Sequence, residues 1–274
     1  MKKIVWMILY VMIAYMIIWC SLLLLQRHFI YYPTTTKPQN LAIQSHLIQT
    51  QTNDGLTLRG AYFPAQSAHP TIVVFHGNAG HYGYRYDKFK PYLEVGYGVL
   101  LASYRGYGGN PGSPSEKGFY RDGQAWLDQL HQQGVDCIIL YGESIGTAVA
   151  SKLAQHFLIQ ALILEAPFTK LSDIAAWHLP WLIGLRWGLQ DQFNNQAHLK
   201  SLQGLPKLFI LAGQDQIIPN ANSVKLYHHT PIPKEKIVIQ SAQHNTLSQY
   251  DIDQKVQHFL QQVIHIDNGL CQNL

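Results

Sequence analysis

The stretch Ile138-Ile139-Leu140-Tyr141-Gly142-Glu143-Ser144-Ile145-Gly146-Thr147-Ala148-Val149-Ala150 constrains this chain more than any other. It opens as a short apolar run, the mark of a buried strand, and closes in a small-residue helical pattern. Between the two lies G-E-S-I-G, which fits the pattern G-x-S-x-G. A serine at the tip of so sharp a strand-to-helix turn is held in strained backbone angles with its hydroxyl in open space. The residues two before and two after it must lack bulk, and Gly142 and Gly146 meet that need. A helix starting behind Ser144 places the N–H of Ile145 where an oxyanion would form. A glycine-flanked serine in an ordinary strand-to-helix loop carries the same five letters. The strand before and the helix after select the elbow.

Around the elbow the chain alternates apolar runs with helical patterns. Residues 46–52 and 57–63 read as two strands about the turn Asn53-Asp54-Gly55, a hairpin signal. Further strands are predicted over 71–75, 99–103, 138–141, 162–165, 208–212 and 237–239. A helix pattern runs over about 84–95. Ser113-Pro114-Ser115-Glu116 reads as an N-cap, a proline at the first helical position and a capping-box glutamate, opening a helix to about Gln133. Near-continuous apolar strands separated by helices argue for an α/β fold, with a mostly parallel central sheet covered on both faces. No internal repeat and no second domain is evident.

A parallel sheet gathers its loops, and its site, at the carboxyl ends of the strands. His76-Gly77-Asn78-Ala79-Gly80 follows the 71–75 strand, Gly213-Gln214-Asp215 follows 208–212, and Ala242-Gln243-His244 follows 237–239. Ser144, Asp215 and His244 therefore come in the order Ser…Asp…His, which goes with the elbow motif. Ser144 needs a base to take its proton, and His244 can serve. His244 needs its tautomer and developing charge held, and Asp215 can do that. Glu165 also ends a strand and is the rival acid, its other reading being a rim carboxylate with a structural partner. His244 is one of fourteen histidines, and Asp215 alone reads equally well as a turn residue. The joint placement makes the trio specific.

The N-terminus carries a second signal. Residues 4–25 are 22 positions without a charge, about 33 Å as a helix, which suffices to cross a bilayer. Trp6, Tyr10, Tyr15 and Trp19 lie along the run, and Tyr31-Tyr32 follow at the expected interface. The run is long for a cleaved signal, and no A-x-A-like site follows it. Cys20, behind bulky Ile18 and Trp19, is a poor lipidation context. An uncleaved single-pass anchor is expected. Lys2 and Lys3 oppose Arg27 and Lys37, and with the free amino terminus added the balance favours a cytoplasmic N-terminus and a body outside the cytoplasm.

The formal net charge is +4, and Lys2, Lys3 and Arg27 flank the apolar run, which leaves 17 basic against 16 acidic groups, or +1, for the rest. So neutral a body offers nucleic acid no electrostatic footprint. No Cys/His cluster has zinc spacing, and the three cysteines point to no disulfide framework. Neither a metal nor a cofactor is expected. Residues 105–112 lack G-x-x-x-x-G-K-[ST] and read as a site-edge loop, not a phosphate loop.

In combination these motifs resemble the α/β-hydrolase superfamily, and most of all its membrane-anchored subgroup with an H-G-N-A-G loop, an R-G-Y-G loop and a G-x-S-x-G elbow. The resemblance spans roughly residues 47–260. It implies that the loop after the third strand supplies the second oxyanion donor, the backbone N–H of Asn78 with Ala79 as the near alternative, on a loop shaped by His76 and Gly77. It carries the family's triad onto Ser144, Asp215 and His244. The activity implied is a serine hydrolase that cleaves carboxylic esters or thioesters through an acyl enzyme. Acyl lipids or acylated proteins are candidate substrates, and the membrane is a partner through the N-terminal helix. A serine peptidase of the same fold and a catalytically silent anchored binding module are the alternatives. The complete triad argues against the silent module.

More than forty residues separate the 162–165 and 208–212 strands, far more than a simple connection needs. Pro180 should break this insertion into two helical pieces. Trp181, Leu182, Ile183, Leu185, Trp187 and Leu189 make the second piece apolar on nearly every side. Such a helix either packs wholly onto the sheet's helices or faces something apolar. On the latter reading it roofs an acyl pocket beside Ser144, with Trp181 and Leu185 binding substrate. The domain plan is a transmembrane anchor over 1–30 and a hydrolase domain over 31–274, with a small lid at about 168–200.

Overall fold

Eight strands form the large sheet of the computed structural model, which describes residues 1–66, 69–267 and 270–273. In chain order they are β1 (Leu47–Gln51), β2 (Thr57–Phe63), β3 (Thr71–Phe75), β4 (Gly98–Ala102), β5 (Ile138–Glu143), β6 (Ala161–Glu165), β7 (Lys207–Ala212) and β8 (Lys234–Ile239). Across the sheet the order is β8-β7-β6-β5-β3-β4-β2-β1. β1 and β2 form the expected hairpin, and β2 runs antiparallel to β4. The other neighbouring pairs are parallel. The principal helices are α1 (Lys2–Ile30), α2 (Tyr86–Glu94), α3 (Glu116–Gln132), α4 (Ile145–Leu153), α5 (Leu171–His178), α6 (Asn220–His229) and α7 (Ile252–Val263).

Every residue of β3 to β7 is buried, as expected where helices cover both faces of a parallel sheet. The two-residue period of each strand divides the core. Val73, Leu100, Leu140 and Leu162 face Trp126 of α3 and Val149 of α4. Ile72, Val74, Ile139 and Ile163 face Phe89 and Tyr92 of α2 and Phe259 of α7. The edge strands β1 and β8 are only partly buried.

Some local expectations are corrected. Ser115, not Ser113, caps α3, its Oγ accepting from the N–H of Gly118 at 3.1 Å. Glu116 closes no capping box. Its carboxylate accepts the N–H groups of Gln192 and Phe193 and the Tyr120 hydroxyl, and so pins the returning end of the insertion after β6. The 105–112 loop keeps its place at the edge of the strand-end loops, anchored by buried Arg105, which Asp122 and Asp54 brace. Cys20 is a free thiol, whereas Cys137, ahead of β5, is disulfide-bonded, against the expectation for the cysteines.

Beyond α5 the chain turns at Pro180, but the second long helix does not form. Only Leu185–Gly188 is helical. The apolar residues there divide between two surroundings. Leu182, Leu185 and Leu189 are buried against Tyr15, Trp19, Leu22 and Leu23 of α1, while Trp181, Ile183 and Trp187 are exposed. Among the described residues α1 is the one helix long and apolar enough to cross a membrane.

Candidate active site

Ser144 stands between the end of β5 and the start of α4, with φ 52° and ψ −117°, a conformation that L residues rarely adopt. The neighbouring glycines make the turn feasible. A Cβ on Gly142 would lie 2.5 Å from Thr147 Cα, and one on Gly146 would lie 2.0 Å from the Phe75 carbonyl oxygen. The Ser144 N–H donates to the Glu165 carbonyl at 2.8 Å, so β6 helps to hold the elbow.

Asp215 follows β7 and His244 follows β8. His244 Nε2 lies 3.1 Å from Ser144 Oγ, and His244 Nδ1 lies 2.7 Å from Asp215 Oδ2. The carboxylate selects the tautomer with the proton on Nδ1, which leaves the Nε2 lone pair facing the hydroxyl. Asp215 is itself held, because its Oδ1 accepts the N–H groups of Ile217 and Ile218 at 2.9 and 2.7 Å. Its side chain is 3% exposed and that of His244 10%.

The loop after β3 is mounted from three sides. Asn78 O accepts from the Tyr107 hydroxyl at 2.8 Å and from the Tyr32 N–H at 2.9 Å. Asn78 Nδ2 donates to the carbonyl of Ile30, the last residue of α1, at 2.9 Å. Residues Tyr32–Pro33 add a short parallel bridge to Ala79–Gly80. His76 is buried beneath the loop, donates from Nδ1 to the Gly77 carbonyl and lies against Tyr104 and Tyr107. Burial and then the Arg85 charge hold its pKa down to about 3, so it stays neutral.

Glu165 does not reach His244. Its carboxylate takes bonds from Lys88 Nζ and the Tyr141 hydroxyl. Lys88 also binds Glu143 at 2.6 Å, and Arg85 Nε donates to the other Glu143 oxygen at 2.8 Å. Two cations and two carboxylates therefore form one compensated cluster. Burial works to raise the Glu143 pKa, but Lys88 and Arg85 outweigh it and hold it at about 2. Burial likewise works against the Lys88 charge, and the two glutamates outweigh it and raise its pKa.

Comparison with known proteins accords with this geometry. A family model described as serine aminopeptidase, S33, matches residues 66–200. The chain is 36% identical over 238 residues to Rv2307c of Mycobacterium tuberculosis, covering 84% of this chain and 83% of that protein. It is 31% identical over 217 residues to the α/β hydrolase domain-containing protein WAV2 of Arabidopsis thaliana, covering 72% of this chain and 69% of the relative. The chain belongs to the α/β-hydrolase family. A shorter match, 33% identical over 59% of this chain and 47% of the relative, is to the lysophosphatidylserine lipase ABHD12 of Danio rerio. Among solved structures, an esterase of Pyrococcus furiosus superposes with a TM-score of 0.68 over 85% of this chain and 97% of that one, at 17% identity, and so shares the fold.

In this α/β hydrolase two cavities meet at Ser144 and Asn78. The smaller, about 220 Å³, is polar and is bordered by Arg85, Lys88, Glu143, Glu165 and His244. The larger, about 570 Å³, is apolar and runs away under the insertion. Ile145, Phe168, Ile174, Leu179, Leu185 and Leu189 belong to its wall, and so do Leu22, Phe29 and Ile30 of α1. Of the residues expected at the site, Ser144, His244, Asp215, Asn78, Ile145 and Leu185 stand together around these cavities or their hydrogen-bonded chain. Trp181 does not join them. It is 52% exposed and belongs neither to the cavity wall nor to the apolar cluster that Leu182 and Leu185 form against α1. Sequence reasoning missed Arg85, Lys88 and Glu143, and it missed the wall contributed by α1. The one available signal was the pair of glutamates at adjacent strand ends, which requires nearby cations.

Proposed function

We propose that the protein is a membrane-anchored serine hydrolase that cleaves carboxylic esters or thioesters through a Ser144–His244–Asp215 triad. The observation that carries this reading is the hydrogen-bonded chain from Asp215 to His244 to Ser144 Oγ, placed where an apolar and a polar cavity meet. His244 takes the Ser144 proton as Oγ attacks the carbonyl, and Asp215 stabilises the imidazolium. The N–H groups of Asn78 and Ile145 hold the oxyanion. Collapse of the tetrahedral intermediate expels the alcohol or thiol, protonated by His244. Water then releases the acyl group by the same route in reverse. The apolar cavity suits the acyl chain and the polar one suits the leaving group. The relative named as a lysophosphatidylserine lipase supports an ester as the substrate class.

A peptidase reading has one observation in its favour, the description of the matching family model. An aminopeptidase needs a free acid to hold the substrate's ammonium group, and here both glutamates beside Ser144 are already paired with Lys88 and Arg85. The ester reading therefore leads, with the anchor over 1–30, the hydrolase domain over 31–274 and the lid at about 168–200. The N-terminus is cytoplasmic and the body lies outside. Of the opposing charges at the body end, Arg27 is paired with Asp191, which tips the balance toward Lys2 and Lys3 as the inside charges.

The test is a fluorophosphonate probe with a panel of p-nitrophenyl esters and peptides. The wild type is expected to label and to cleave the esters, and Ser144→Ala to do neither while melting as the wild type does. Labelling of Ser144→Ala, or cleavage of the peptides alone, would overturn the reading. Membrane retention after a carbonate wash, with the body open to protease added from outside the cytoplasmic face, checks the topology.

A further inference from the structure

The insertion and the anchor run side by side. Ile183 donates its N–H to the Tyr15 hydroxyl at 2.9 Å, and its carbonyl accepts from Trp19 Nε1 at 3.1 Å. Further on, Gly188 packs so tightly on Leu23 that a Cβ there would lie 2.5 Å from a Leu23 methyl carbon. The N–H of Gln190 then donates to Gln26 Oε1 at 2.7 Å, and Asp191 pairs with Arg27 at 3.0 Å. The stretch from 183 to 191 therefore climbs along α1 in step with its own direction.

This fixes a depth. Arg27 is the first charged residue beyond the apolar run. At 1.5 Å per residue, Trp19 and Tyr15 lie about 12 and about 18 Å down the helix from Arg27. Residues 4–23 already fill the roughly 20 positions that span a hydrocarbon core, so Trp19 and Tyr15 lie inside it. The loop bonded to them lies at the same depth.

The chemistry of the loop fits that place. Backbone polar groups in hydrocarbon must find partners within the protein, and several here do. Leu182 N–H bonds Leu179 O, Leu185 N–H bonds Leu182 O, and Trp187 N–H bonds Gly184 O. Tyr15 and Trp19 serve both polar groups of Ile183. The outward side chains are Trp177, Trp181, Ile183 and Trp187, exposed by 54, 52, 78 and 87%. In water such a patch is a liability, and in a leaflet it is an anchor. Arg186, the one charged side chain between Leu179 and Gln190, is paired with Asp173, and its long stem allows the head to reach the interface.

We propose that residues 179–189 are set into the same leaflet as the outer half of α1, and that the apolar cavity is loaded sideways from that leaflet with the acyl chain of a membrane lipid ester. The second half rests on the ester-hydrolase reading above. The cavity wall is shared by Leu22, Phe29 and Ile30 of α1 and by Leu179, Leu185 and Leu189 of the insertion, with Ser144 at its end. The seam between the two thus joins the leaflet to the serine. The anchor is one side of the acyl site as well as a tether.

Two measurements on the full chain in phosphatidylcholine vesicles test this. The first is tryptophan quenching by lipids brominated at the 6,7 positions, in the wild type and in Trp187→Phe. The anchor's Trp6 and Trp19 are quenched in both, and the wild type is expected to carry an additional quenched component, the Trp187 difference signal, that the variant lacks. A Trp187 component quenched by aqueous iodide and untouched by bromolipid would overturn the placement. The second is Trp187→Asp, at a position outside the cavity wall. Hydrolysis of vesicle-borne 4-methylumbelliferyl oleate is expected to fall at least about ten-fold, with p-nitrophenyl acetate turnover unchanged. Equal loss on both esters, or loss on neither, would overturn the loading route. A wild type inert toward both esters would refute the ester reading and the loading with it, while quenching would still decide where residues 179–189 lie.

Discussion

The two cavities that meet at Ser144 are built by opposite means. The polar one is made of strand ends and α2, and its charges compensate one another within bonding distance: Lys88 holds Glu143 and Glu165, and Arg85 holds Glu143. Its geometry is fixed, because moving any member leaves a buried charge unpaired. The apolar one is made of α1, α5 and the segment after Pro180, and its wall is of side chains that pack without direction, the directional bonds to Tyr15, Trp19, Gln26 and Arg27 lying along the seam. The contrast teaches where selectivity resides. On the proposed ester reading, a leaving group would be read by a rigid, charged frame and an acyl chain by a surface that tolerates many lengths. The proposed triad between them would serve both and should be indifferent to either.

The sharpest way to break that division is at the shared chemistry. Asp215→Asn is expected to cost about 10⁴-fold in kcat, as loss of the tautomer does in the serine-protease case, with every ester length affected alike. Glu165→Gln should stay far above that level. An inert Glu165→Gln beside a near-normal Asp215→Asn would reassign the acid. Next in size is Lys88→Met, which leaves the buried Glu165 carboxylate without a cation and Glu143 with Arg85 alone. It should lower stability by about 3–5 kcal/mol, read as a drop in melting temperature in micelles, while the order of preference among acyl lengths is kept.

Smaller and confined to the other cavity is Leu185→Ala. Removing part of the apolar wall should lower kcat/KM for long acyl esters about ten-fold relative to acetate, within the roughly 1–3 kcal/mol that such pockets discriminate. Trp181→Ala should leave soluble esters within about two-fold, since its ring is off the wall. Uniform loss across lengths from Leu185→Ala would make that residue core. A last effect is set by pH and acts on stability, leaving acyl preference untouched. Glu143, with its pKa held at about 2, stabilises the fold above the ordinary glutamate pKa, and that contribution is lost as pH falls toward 2. His76 adds a second acid penalty. Between its ordinary value of 6.5 and about 3 the unfolded chain takes up a proton that the buried ring refuses, at about 1.4 kcal/mol per pH unit. Glu143→Gln should flatten the lower part of the acid melting curve and His76→Gln the upper part.

The asymmetry between the cavities also explains what could be read from the sequence. The parallel sheet, the elbow, and the strand-end positions of Ser144, Asp215 and His244 rest on local patterns, which are legible in the sequence. The α/β-hydrolase fold followed from them. Lys88 and Arg85 sit on or beside α2, where charges read as an ordinary solvated face. Only the fold brings their side chains to the glutamates that end β5 and β6. The segment after Pro180 misled for a different reason. Its apolar residues look like a helix buried all round, yet Leu182, Leu185 and Leu189 turn to α1 while Trp181, Ile183 and Trp187 turn outward. Two apolar neighbours, one of them not protein, leave no single period to find.

The hydrogen bond from Asn78 to Ile30, with the two-residue bridge beside it, has a consequence for anyone who would make this protein soluble. A body severed at the end of α1 keeps its serine, base and acid. It loses the carbonyl that holds the Asn78 side chain, along with one side of the acyl cavity. On the proposed reading such a fragment would carry the triad with its oxyanion loop unmoored, and inactivity in it would report the missing mount before it counted against the triad.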